Sequence, residues 1–133
     1  MPELDAVPSV KFEIFLPTVY TDPNDPAKTP QYVQHSEVAR YLNSMTAKYR
    51  EYGGYTISNP LAPPPFSGVY QGGPEERGFV VMLMVPDHVL NEAEQDVKHM
   101  VRFFRETYHQ DEILCYSYHV NRYMPRRMQS SQG

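Results

Sequence analysis

The stretch GFVVMLMV, residues 78–85, restricts the fold of this chain more than any other feature. Its apolar run, 79–85, is far too short to cross a bilayer, which takes about 20 residues as a helix. Turn-forming residues flank it, so it reads as a buried strand. Phe79, Val81, Leu83 and Val85 would share one side of its pleat, and Val80, Met82 and Met84 the other. A strand covered by helices on a single side should alternate apolar and polar residues. This one does not alternate, so both of its sides are expected to be dry.

The rest of the chain supplies the partners for such a strand. Residues 1–9 hold Glu3, Asp5 and two prolines and read as a flexible lead with no signal-peptide character. In residues 10–16, VKFEIFL, the positions Val10, Phe12, Ile14 and Leu16 repeat at period two, the mark of a half-buried strand. Pro17 ends it. Residues 17–34 contain Asp-Pro twice and read as a long loop. Helical spacing of Val38, Tyr41, Leu42, Met45, Tyr49 and Tyr52 predicts a helix over 36–52, capped by Ser36 and stopped at Gly53-Gly54. Residues 55–58 and 67–71 are β-prone but are separated by a proline-rich stretch, which places them at a sheet edge. GGPEER then turns the chain into 78–85, forming a hairpin.

Asn91 and Glu94 have the spacing of a capping box for a second helix. Val97, Met100, Val101, Phe104 and Tyr108 form its apolar stripe. Residues 112–123, EILCYSYHVNRY, make a last strand, and 125–133 read as a tail. The order strand, helix, hairpin, helix, strand predicts one α+β domain over 10–124 of ferredoxin-like βαββαβ layout: an antiparallel sheet with two helices on one face.

That layout leaves one sheet face without helices. A monomer baring Val80, Met82, Met84 and several tyrosines there would expose a larger apolar patch than soluble monomers usually carry. Self-association as a dimer or trimer is the expected remedy. The alternative is that the lead or the proline-rich loop folds over the sheet. Eleven tyrosines and no tryptophan fit such half-wet surfaces.

Net charge of −4 disfavours a nucleic-acid partner, which calls for a basic surface. The Arg122, Arg126 and Arg127 cluster reads as a solvated chain end. A lone cysteine, Cys115, forms no internal disulfide, so a cytoplasmic setting and no membrane association are expected. No phosphate loop, nucleotide fingerprint, zinc-protease motif or nucleophile elbow occurs, and no cofactor or metal is expected.

Five histidines are scattered at positions 35, 88, 99, 109 and 119. His109 lies at a helix end, where the macrodipole accounts for it. His119 lies in the last strand beside tyrosines. If it shares a sheet face with Glu13, which interrupts an apolar strand, the two could form an acid–base pair with Tyr118 at hand. Otherwise His119 is a hydrogen-bonded core or interface residue, and Glu13 needs a partner or water. Cys115 reads as a small buried hydrophobe. Tyr55, Tyr70, Arg77, Tyr116 and Arg122 are candidates to line a ligand site, although strand tyrosines also serve packing.

The stretch GGYTISNP, GVYQG and FVVMLMVPD resembles small uncharacterised bacterial proteins of ferredoxin-like fold, over residues 10–123. FVVMLMVPD followed by a helix is similar to the third strand and second helix of PII-like signalling proteins, with 59–77 in the place of their exposed loop. That resemblance implies a trimer with an effector between subunits, but the chain lacks the basic residues and glycine turns for phosphate at that place. Two functional readings follow. One is a small homo-oligomeric binding or regulatory protein with a small-molecule ligand. The other is a cofactor-independent enzyme of the ferredoxin-like dimer type, an isomerase, lyase or monooxygenase, using Glu13, His119 and Tyr118.

Overall fold

The structure, a computed structural model, describes residues 3–47, 54–58, 67–69 and 75–125. Among these residues seven strands and two helices follow one another: β1 (Leu4–Pro17), β2 (Val19–Tyr20), β3 (Gln31–Tyr32), α1 (His35–Thr46), β4 (Tyr55–Ile57), β5 (Ser67–Val69), β6 (Glu75–Pro86), α2 (Leu90–Thr107) and β7 (Cys115–Pro125). A short 3-10 turn, Asp87–Val89, leads into α2. The class is α+β. The main sheet is antiparallel in the order β4-β6-β1-β7, and β5 pairs with β6 beyond β4.

The register explains the core. Val10, Phe12, Ile14 and Leu16 oppose Val85, Leu83, Val81 and Phe79, so these eight side chains lie on one face. All are buried, together with Val38 and Leu42 of α1 and Ala93, Val97, Met100 and Phe104 of α2. The helices therefore cover this face. They meet each other through Tyr41, whose ring stacks on Phe103 at 3.8 Å and meets Phe104 edge-on at 5.4 Å. On the opposite face Val80, Met82 and Met84 are only half-buried within a single chain. The expected second dry side is thus not provided by the described residues of one chain.

Several local expectations are corrected. The strand expected from Val10 begins at Leu4: the supposed lead pairs in register with β7 from Leu4↔Pro125 onwards. The first helix starts at His35, and Gln34 at its N-cap makes no side-chain cap bond, so Ser36 lies inside the helix. Asn91 likewise lies within α2, which starts at Leu90 out of the 3-10 turn. The long loop carries a hairpin of β2 and β3, with Val19 opposite Tyr32. It docks on the end of α2 through Tyr20, whose ring lies 5.2 Å from that of Tyr108. The expected helix end at 48–53, the turn at 71–74, the proline-rich stretch 59–66 and the tail at 126–133 lie outside the described residues.

Candidate functional site

The open face of the sheet is built from three cross-strand rows. Thr56, Met82, Glu13 and Tyr116 form one, Met84, Lys11 and Tyr118 the next, and Val80 and Phe15 begin a third. A backbone bond from the Phe15 amide to the Leu114 carbonyl, 2.9 Å, continues the last row to the start of β7. Each row arises because directly opposed residues of antiparallel strands point to the same side.

Charge sits at the centre of this face. Lys11 and Glu13 are two residues apart on β1, so the pleat puts both on the open side, and their side chains lie 3.6 Å apart. The Lys11 ammonium also lies 5.9 Å from the Tyr118 ring centroid, within cation–π range. The need of Glu13 for a partner is therefore met by Lys11, which sequence reading had not singled out. The signal was present in the i, i+2 spacing. Aromatic rings flank the pair: Phe15 meets Tyr116 edge-on at 5.7 Å. Tyr116 and Tyr118 remain 52% and 41% exposed, too much for residues that only pack a core.

His119 is elsewhere. It opposes Val10, whereas Glu13 opposes Tyr116. Because Val10 faces the helices, His119 lies on the helix side of β7 and Glu13 on the open side. The conditional Glu13–His119 pair does not form: one sheet separates the two side chains. Tyr118 shares the open face with Glu13, without an imidazole beside them.

The ligand-lining candidates divide in the same way. Tyr116 lies on the open face, and so does Arg122, which opposes Val7. Tyr55 opposes Leu83 on the helix side. Its hydroxyl donates to the Ala39 carbonyl at 3.2 Å and bonds Asn43 Oδ1 at 2.9 Å, so it ties β4 to α1. Arg77 belongs to β6 near its start. Tyr70 lies outside the described residues.

Two other places have polar chemistry. Cys115 is half-buried in β7, and desolvation pushes its thiol up to about 11, which keeps it protonated and unreactive at neutral pH. At the C-terminal end of α2, burial pushes the Tyr108 hydroxyl up to about 12, with Glu37 and Tyr20 adding to the effect. His109 and Asp22 approach to 3.9 Å beside it. His109 follows α2 at φ 51°, the left-handed position that ends the helix, and the Gln110 amide donates back to the Arg105 carbonyl at 2.9 Å. This cluster closes the helix and anchors the long loop. Among the described residues no group of three histidine, cysteine or carboxylate side chains could hold a metal ion, and no helix is long and apolar enough to cross a membrane.

Comparison with known proteins adds little to this geometry. No family model matches the chain, and no curated protein does. Among solved structures it is similar to a phage SAM lyase in its apo state, with a TM-score of 0.46 and 11% identity over 92% of each chain. A likeness of that size carries no argument about fold or chemistry.

Proposed function

We propose that this chain is a small homo-oligomeric binding or regulatory protein, on a ferredoxin-like scaffold, whose working surface is the open sheet face. The observation that carries the reading is the side-chain set on the face opposite the helices: half-buried Met82 and Met84 and exposed Tyr116 and Tyr118 around the Lys11–Glu13 pair. The central place of β1 and β6, with both helices against one side, supports the scaffold. An apolar, aromatic surface with one self-neutralised charge pair favours contact with another apolar surface or ligand over contact with a polyanion. A reducing cytoplasmic compartment suits its single thiol.

The catalytic alternative loses its support with the separation of Glu13 from His119, because an acid–base dyad needs both groups within hydrogen-bond reach. Sedimentation of the full chain tests the binding reading. Wild type is expected to run as a dimer or trimer, and Tyr116→Glu/Tyr118→Glu to shift towards monomer while its circular dichroism spectrum is kept. Thermal-shift screening against a metabolite panel then searches for the ligand. A wild type that stays monomeric up to hundreds of micromolar, with no ligand-induced shift, overturns the reading.

A further inference from the structure

The two edges of the main sheet differ sharply. One edge is formed by β4, three residues long. Natural sheets blunt their edges in this way, because an unpaired row of N–H and C=O groups recruits other strands. The other edge is β7, eleven residues long, and its pairing with β1 runs without a bulge from Cys115 to Pro125. The strand has no lysine, and its proline stands at the very end. Among the described residues nothing pairs with its outer side. Its side chains are also bare: Tyr116 and Tyr118 on the open face, and Ser117 and His119 on the helix side, are exposed.

The direction of its backbone groups follows from one bond. The Phe15 amide donates to the Leu114 carbonyl, and the two residues are in register with the β1–β7 ladder. In an antiparallel ladder, hydrogen-bonded pairs alternate with non-bonded ones. Tyr116, Tyr118, Val120, Arg122 and Met124 therefore turn their N–H and C=O towards β1. Cys115, Ser117, His119, Asn121 and Tyr123 present theirs to the outer edge. Antiparallel pairing of β7 with itself must oppose outward residues to outward residues, so a two-fold axis has to pass through a residue pair.

We propose that two copies of this chain pair antiparallel along the outer edges of β7, with Val120 opposite Val120, so that their sheets join. This rests on the homo-oligomer reading above and names where the copies meet. An axis at Val120 uses the whole strand. On the open face it opposes Tyr118 to the second copy's Arg122, Tyr116 to its Met124, and valine to valine. On the helix side it opposes His119 to Asn121 and Ser117 to Tyr123. On the open face apolar and aromatic residues thus meet their like, or a cation suited to a ring face, the helix side sets hydroxyl, imidazole and amide groups opposite one another, and no like charges are opposed. The interface is isologous, as a two-fold requires. A strand sequence that matches itself in this way favours a second copy over an unrelated peptide. The joined sheets would make the two open faces one continuous surface.

Cross-linking and a backbone deletion test it on the full chain. In a Cys115→Ser background, Val120→Cys places two thiols at a non-hydrogen-bonded pair, where Cα atoms are about 4.5 Å apart and a disulfide closes readily. Mild oxidation is expected to give a covalent dimer from Val120→Cys in high yield and little from His119→Cys. Separately, His119→Pro removes an outward N–H and leaves the β1 ladder intact, so it should yield folded monomer in sedimentation. If that variant fails to fold, the cross-linking arm decides alone. Preferred cross-linking at His119→Cys overturns the register. A wild-type oligomer that neither cross-links at Val120→Cys nor yields to His119→Pro overturns the edge pairing and leaves the homo-oligomer reading standing. A wild-type monomer overturns both.

Discussion

Asp25 shows how a single side chain orders a stretch that composition marks as loop. Its carboxylate accepts the Ala27 amide at 2.9 Å and the Thr29 amide at 3.1 Å, while Asp22 accepts the Asn24 amide at 2.8 Å. Lys28 between them takes φ 53°, a left-handed turn that a lysine adopts only when its surroundings impose it. The Ala27 amide bond, then that of Thr29, holds the Asp25 carboxyl below its ordinary value. A depressed folded pKa means that the carboxylate contributes order above the unfolded pKa and loses it as pH falls through the folded one. The Ala27 and Thr29 amide resonances should therefore titrate together, with a midpoint below 3.8. Asp25→Asn should abolish that titration and keep one acceptor, and Asp25→Ala should loosen the turn at every pH. A midpoint at or above 3.8 in the NMR titration would count against the carboxylate as organiser.

Among the elements, α2 holds the core together through Phe104, fully buried and in ring contact with Tyr41, Phe103 and Tyr108. Phe104→Ala should cost about 3–5 kcal/mol. Phe103→Ala, at a ring that is 38% exposed and stacks on Tyr41, should cost about 1 kcal/mol. Denaturant midpoints with unchanged slopes would measure both, and equal losses would refute this account of the packing. The stripe carrying Phe104 was legible in the sequence because helical periodicity is strong over five turns. Alternation in Val10–Leu16 was legible for the same reason. The pairing of Leu4–Ser9 was not, because Pro8 reads as a breaker. Its missing N–H costs nothing here: even-numbered residues of β1 turn their backbone towards β6, whose pairing ends at Ser9↔Pro86. The face of His119 was equally hidden. Period two tells which residues share a side, but only the register with β1 tells which side that is.

At the scale of the whole molecule, one sheet carries two unequal faces, and the stability of the protein should depend on what happens at the bare one. Helices bury Val10, Phe12, Ile14 and Leu16 against Phe79, Val81, Leu83 and Val85, while on the other face Met82 is half-buried and Tyr116 and Tyr118 are exposed. When folded copies associate, mass action ties unfolding to concentration, because the unfolded chain has no interface to lose. For a dimer or trimer of this chain length, each tenfold rise in concentration should lift the thermal midpoint by about 2–4 °C. Tyr116→Glu/Tyr118→Glu should flatten that dependence to zero and leave a midpoint equal to that of the most dilute wild type. The measurement is a set of reversible melts across three decades of concentration, followed by circular dichroism. A wild-type midpoint independent of concentration would mean that the described face is tolerated bare. The reason for its tyrosines would then lie in a ligand alone.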